Sequence, residues 1–225
     1  EHPACSFGMD EGRAMMQIVR DVAPGAAQIF NTASNGQAAL AQAILNLRDA
    51  GADVIVDDVI YFGEPMFQDG VIAQAVDTVE GDRVAYFSSS GNDGRKSYES
   101  AFTPGNTFSA GAFGQGTGFA PPFMGGIAHD FGGGDVFRQV PLPADNTIKI
   151  SFQWADPAAS VCSGCPGAGT EMDVYILDNP PTVVLNGGAA VNVGGDPVEI
   201  VSLNRSAGTG TGIVNVKLVK RSGPA

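Results

Sequence analysis

The apolar residues of this 225-residue chain change their spacing once, and that change limits the folds open to it. Before about residue 103 the spacing is helical, broken by short apolar runs. Ala14, Met15, Ile18, Val19 and Val22 fall on one face of a helix that Ala23-Pro24-Gly25 stops. A strand is expected near Gln28–Thr32. Leu40, Ile44 and Leu47 mark a second helix closed by Gly51, and Asp53-Val54-Ile55-Val56 reads as a fully buried strand. A third helix carries Phe67, Val71, Ala75 and Val79, and a strand follows at Val84–Phe87. Strands alternating with helices predict an α/β region with a parallel sheet over residues 1–102.

After residue 126 the spacing becomes two. Ile148, Ile150, Phe152 and Trp154 alternate with Lys149, Ser151 and Gln153; Val174 and Ile176 alternate with Asp173 and Tyr175. Val198 with Ile200, and Val214 with Val216 and Leu218, repeat the pattern, and Asn186-Gly187-Gly188 and Gly194-Gly195-Asp196-Pro197 read as turns. An antiparallel, jelly-roll-like β-sandwich is expected over 127–225. Residues 103–126, rich in Gly, Pro, Ala and Phe with no sustained period, read as a linker.

Composition excludes some partners. With 44% apolar and 16% charged residues the chain can bury a sizeable core. Twelve basic residues stand against twenty-four acidic ones, and none of the former cluster, so nucleic acid is not an expected partner. No apolar run approaches the roughly 20 residues of a membrane helix. Many glycines, few lysines and three cysteines point to a secreted, extracellular protein, and Glu1 to a processed or excised piece.

Two stretches carry candidate chemistry. In residues 84–94, VAYFSSSGNDG, a strand runs into small residues and then Gly91-Asn92. The carboxyl end of a parallel strand is where open α/β folds keep their sites, so Asn92 is either turn chemistry or a side-chain donor to an oxyanion. Residues 8–26 put Asp10 where a helix N-cap belongs and Glu11 one position inside.

The helix ending in DVAPGA, then GADVIVDDV, then YFSSSGNDG, in this order and spacing over residues 10–94, resembles the subtilisin-like and sedolisin-like serine peptidases. The resemblance implies that Glu11, twelve residues before Ala23, is the general base in the sedolisin manner. It implies that Asn92 is the oxyanion donor in the subtilisin manner. Met15 occupies the place of the acid that orients the sedolisin base, which leaves Asp57 or, preferably, Asp58 as the orienting acid. The family's Gly-Thr-Ser nucleophile motif is absent: the Gly-Thr pairs at 116, 169, 208 and 210 lead to Gly118, Glu171, Gly210 and Gly212. The chain is therefore expected to be a central fragment, with the sandwich inserted ahead of the serine segment. MDVYILD and GGDPVEIVS resemble sandwich domains that accompany secreted peptidases. Its partners would be the missing N- and C-terminal segments of its parent and a protein or peptide substrate. The alternatives are a pseudopeptidase acting through the sandwich and a structural or assembly role.

Cys162-Ser163-Gly164-Cys165 suits a metal, a redox pair or a small disulfide loop. Too few further ligands exist for zinc, so a disulfide is expected and Cys5 is left to pair outside the chain. His2 and His129 are expected at the surface or in loops. Asp156, Glu171 and Asp173 are candidate calcium ligands between sandwich loops; no other cofactor is implied.

Overall fold

The computed structural model describes residues 10–94, 96–117, 120–205 and 212–224. It is rich in sheet, and the chain divides into two units: one joins residues up to Val59 with Ile72–Ser90, the other joins Ile60–Val71 with the chain from Gly91 onward.

In the first unit the helical spacing yields α1 (Glu11–Val22) and α2 (Gln37–Asp49). Alternating with these come β1 (Val54–Asp57), α3 (Val71–Gly81) and β2 (Ala85–Ser88). α2 ends as expected: Gly51 adopts φ +90°, its amide donates to the Arg48 carbonyl and that of Ala52 to Leu47, a Schellman closure. β1 and β2 pair in parallel, Val54 opposite Ala85 and Asp57 opposite Ser88. The pleat puts Ile55, Asp57, Tyr86 and Ser88 on one face and Val54, Val56, Ala85 and Phe87 on the other.

Only the first of these faces is covered. Ile55 is buried, as are Leu40, Ala41 and Ile44 of α2 and Ile72, Ala75 and Val79 of α3, whereas Val54, Val56 and Phe87 are 56%, 50% and 61% exposed. Asp53–Val56 is thus not a fully buried strand. No third strand pairs with β1 or β2 among the described residues, although parallel strands are normally flanked and covered on both faces. The apolar stripe of α1 is likewise open, with no buried residue in the helix. Two further expectations fail here. Gln28–Thr32 forms no strand, and Phe67 lies ahead of α3, whose buried face is set by Ile72, Ala75 and Val79.

The second unit is built from β3 (Pro104–Phe108), β4 (Gly114–Gln115), β5 (Gly126–His129) and β6 (Arg138–Pro141). They are followed by β7 (Thr147–Gln153), β8 (Glu171–Leu177), β9 (Val183–Gly188), β10 (Val198–Asn204) and β11 (Ile213–Ser222). β3, β5, β11, β8, β9 and β4 lie side by side in that order, with β6 also on β11; β7 and β10 form a separate antiparallel ribbon. The ribbon packs Ile148, Ile150, Phe152, Val201 and Leu203 against Val174, Ile176, Val214 and Val216 of the larger sheet. This is the expected two-layer arrangement, but it covers only one face of that sheet.

The opposite face is covered largely by the stretch expected to be a linker, joined by Phe137 from beyond it. Phe108, Phe113, Phe123 and Phe137 pack on Tyr175, Leu177, Val184 and Val219, and the Phe113 and Phe123 rings meet edge to face at 4.8 Å. The described residues of 103–126 thus form β3, β4 and part of an aromatic cover, which corrects the linker boundary: Gly and Pro there punctuate short strands. Covered twice, β8 is buried along its whole length. Asn186-Gly187-Gly188 lies within β9 instead of forming a turn. A Cβ on Gly187 would meet the Tyr175 ring at 2.9 Å, and one on Gly188 would collide with the Glu199 carboxylate. The stretch Ile60–Val71 is tied along β7: Ser151 Oγ donates to the Phe62 carbonyl at 2.5 Å, Gln153 Nε2 to that of Glu64 at 2.8 Å, and the Met66 amide to Gln153 Oε1 at 3.0 Å.

Candidate functional site

The parallel register of the α/β unit brings two polar side chains together at the carboxyl ends of its strands. Asp57 closes β1 and Ser88 closes β2, directly opposite. Ser88 Oγ donates to Asp57 Oδ1 at 3.0 Å, the Val59 amide donates to the same oxygen at 3.2 Å, and the Tyr86 hydroxyl donates to Oδ2 at 2.5 Å. Three donors fix the carboxylate, two from the neighbouring strand and one from the chain just beyond β1. Ser88 is exposed and Asp57 half-buried, so the pair faces solvent. Of the two acids considered, Asp57 is held in this network while Asp58 is exposed beside it. Sequence reasoning missed Tyr86 and Ser88, yet aligning the apolar triplets Val54-Ile55-Val56 and Ala85-Tyr86-Phe87 would have found them.

The remaining peptidase-type candidates are open to solvent. Glu11 opens α1 and is exposed. Asp10 stands at the N-cap position but makes no capping bond; its carboxylate pairs with Arg13, one turn along, at 3.0 Å from Arg13 Nε. Beyond β2, Gly91 takes φ +71° and Gly94 φ +51°, so the turn that carries Asn92 uses backbone conformations that favour glycine; Asn92 is exposed.

The sheet unit encloses several ionisable groups. Glu171, Asp173, Glu199 and Lys217 are buried. Glu171 Oε2 accepts the amides of Asn192 at 2.9 Å and Val193 at 3.3 Å, and Glu199 Oε1 accepts that of Ala190 at 2.8 Å, so two buried carboxylates anchor the segment between β9 and β10. Asp173 takes the Tyr175 hydroxyl at 2.6 Å, with Arg221 at 3.7 Å from both Asp173 and Glu171. Burial pushes Asp173 up to about 6 and Glu199 up to about 7. Lys217 Nζ has no hydrogen-bond partner; it sits 3.6 Å from the centre of the Phe108 ring and 4.2 Å from that of Phe137, and burial brings it down to about 8.

These positions correct the calcium expectation. Asp156 spends Oδ2 on the amides of Gly169 and Thr170 and on the Trp154 indole, whereas Glu171 and Asp173 face Arg221. Among the described residues no group of three or more His, Cys, Asp or Glu is placed to hold a metal ion. The residues do not fit a calcium ion, because a guanidinium already serves the two buried acids. Cys162 and Cys165 form the expected disulfide. Cys5 and His2 lie outside the described residues.

His129 is buried, not a surface residue. Its Nδ1 accepts the Thr103 amide at 3.1 Å, which places the ring proton on Nε2 facing the Tyr98 hydroxyl at 2.8 Å and Ser100 Oγ at 3.3 Å. The Ser100–His129 contact resembles a nucleophile and base, but a nitrogen that carries the proton cannot take one. Burial lowers its pKa, so the ring is held neutral between Phe102, Phe131 and Tyr98.

No helix among the described residues is long and apolar enough to cross a membrane. No family model, curated protein or solved structure matches the chain.

Proposed function

We propose that this chain is part of a secreted serine peptidase of subtilisin or sedolisin type. In this reading Glu11 is the general base, Asn92 the oxyanion donor, and the nucleophilic serine comes from a segment of the parent outside these 225 residues. The observation that carries the reading is the parallel pairing of β1 with β2, which sets two strand ends side by side with Asn92 four residues beyond Ser88. An α/β peptidase layer is built in this way. The bare face of Val54, Val56 and Phe87 and the unpaired strand edges fit a layer whose other strands and helices come from the rest of the parent. Asp57, fixed by three donors, replaces Asp58 as the acid able to orient a neighbouring group.

In catalysis the serine hydroxyl of the parent would attack the peptide carbonyl while Glu11 takes its proton. Asn92 would donate to the oxygen on which negative charge develops, and Glu11 would return the proton to the leaving amine. The test is fluorophosphonate labelling of the intact parent, with the adduct located by mass spectrometry. A label on a downstream Gly-Thr-Ser serine, lost in Glu11→Gln and cut about a hundredfold in rate by Asn92→Ala, is expected. No label on such a serine would overturn the reading in favour of a pseudopeptidase acting through the sheet unit. The 225-residue chain alone is expected to leave casein intact.

A further inference from the structure

The Ser88–Asp57 pair has the layout of an activated nucleophile, and it does not depend on the serine sought downstream. A serine becomes nucleophilic when a base within hydrogen-bond reach takes its proton and a third group fixes that base. Ser88 Oγ already donates to Asp57 Oδ1 at 3.0 Å, and Tyr86 and Val59 hold the carboxylate from its other sides. The hydroxyl is exposed, at the carboxyl end of a parallel strand, and a turn with two left-handed glycines follows it. Neighbouring Ser89 and Ser90 have no such carboxylate partner among the described contacts, and the Ser100–His129 contact has its proton on the wrong atom.

We infer that Ser88 is an acyl-accepting nucleophile with Asp57 as its general base, acting on activated esters. Ser88 Oγ bonds to the ester carbonyl carbon, its proton passes to Asp57 Oδ1, and the carbonyl π pair moves onto oxygen. Collapse of this intermediate breaks the bond to the leaving alkoxide or phenolate, which takes the proton from Asp57 and leaves acyl-Ser88. Water then attacks the acyl carbon, gives its proton to Asp57, and the Ser88 oxygen departs and recovers that proton. Ester and water become acid and alcohol, with nothing else consumed. A carboxylate is a weaker base than imidazole, so the substrate class is limited to acyl groups on good leaving groups such as phenolates, and amides are left alone.

The experiment uses the 225-residue chain with p-nitrophenyl acetate and, separately, diisopropyl fluorophosphate followed by peptide mapping. Hydrolysis above the buffer rate, a phosphoryl adduct on Ser88, loss of both in Ser88→Ala and about a hundredfold slower hydrolysis in Asp57→Asn are expected. Ser89→Ala and Ser90→Ala should stay within about twofold of the parent chain, since neither touches the carboxylate. An adduct on any other residue, or hydrolysis that survives Ser88→Ala, overturns the inference, as does the absence of both adduct and turnover. Because the adduct is mapped within this chain, failure here leaves the downstream-serine reading intact, and the converse also holds.

Discussion

The two units invert the usual relation between polarity and burial in opposite senses. The α/β unit leaves Val54, Val56, Phe87, Ile18 and Val22 open to solvent, whereas the sheet unit encloses Glu171, Asp173, Glu199 and Lys217. In the first, two strands have helices on one face and nothing on the other. In the second, a ribbon and an aromatic cover close both faces of the larger sheet, so its outward polar residues are trapped inside. Layer count, more than sequence hydropathy, decides which side chains meet water.

The sharpest break in this comparison is a pair of substitutions. Ile176 lies in the doubly covered strand and has no exposed surface, so Ile176→Ala should cost about 3 kcal/mol through lost burial and a cavity that strands on both sides cannot close. Val56→Ser on the open face should change stability by less than about 0.5 kcal/mol in the same chain. Denaturant unfolding of both variants checks the contrast. Equal losses would mean that the β1–β2 face is covered in solution.

How far the sequence announces this depends on what each stretch can bury. Gly51 ends α2 as read, because the left-handed position and the apolar face of α2 both act locally. The period of two located β7, β8, β10 and β11 for the same reason. What it could not give is the second cover. Alternation in β8 reads as one face in water, and only the cover of Phe108, Phe113, Phe123 and Phe137 turns Asp173 and Tyr175 inward. Phe108, Phe113, Phe119 and Phe123 are the available signal: four aromatics in sixteen residues are costly to expose, and a linker has no place for them. At the candidate site, Glu11 and Asn92 came from resemblance, while Ser88 and Tyr86 became visible only through strand register. His129 hid for a similar reason, since its partners Tyr98 and Thr103 lie 31 and 26 residues away.

Trapped charge gives the sheet unit a pH signature of its own. Asp173 and Glu199 are raised from 3.8 and 4.5 to about 6 and about 7, so the folded chain holds protons that the unfolded chain has released. The stability they contribute is complete below their unfolded values and is lost as pH rises through 6 and then 7. Lys217, lowered from 10.5 to about 8, runs the other way: its contribution is present above 10.5 and lost as pH falls through 8. His129, also lowered, opposes the two acids only at the acid end. Thermal unfolding should therefore find higher stability near pH 5.5 than near pH 8, and Glu199→Gln should flatten that slope and add on the order of 2 kcal/mol at pH 8. Lys217→Met should add about 1 kcal/mol at pH 7. Burying an ammonium without an acceptor costs several kcal/mol, of which the ring contacts return about 2. A slope unchanged in Glu199→Gln, or a loss in Lys217→Met, would show that water reaches these groups.

The smallest effect concerns a feature that ties the sheet unit only locally. The Cys162–Cys165 bridge closes a loop with a sequence separation of three, and such short loops restrict the unfolded chain little. The surrounding segment is also held without it: Asp156 accepts the Gly169 and Thr170 amides, and Asp196 Oδ1 accepts that of Ser160 at 2.8 Å. Replacing both cysteines by serine should lower the denaturation midpoint by an amount worth about 1 to 2 kcal/mol and leave the slope of the transition unchanged. A larger loss together with a shallower slope would mean that the bridge, and not the two aspartates, orders the connection from β7 to β8. In that case the strand buried on both faces would owe its cover to a covalent tie as well as to the aromatic layer, and the contrast with the open unit would be one of cross-linking as much as of layers.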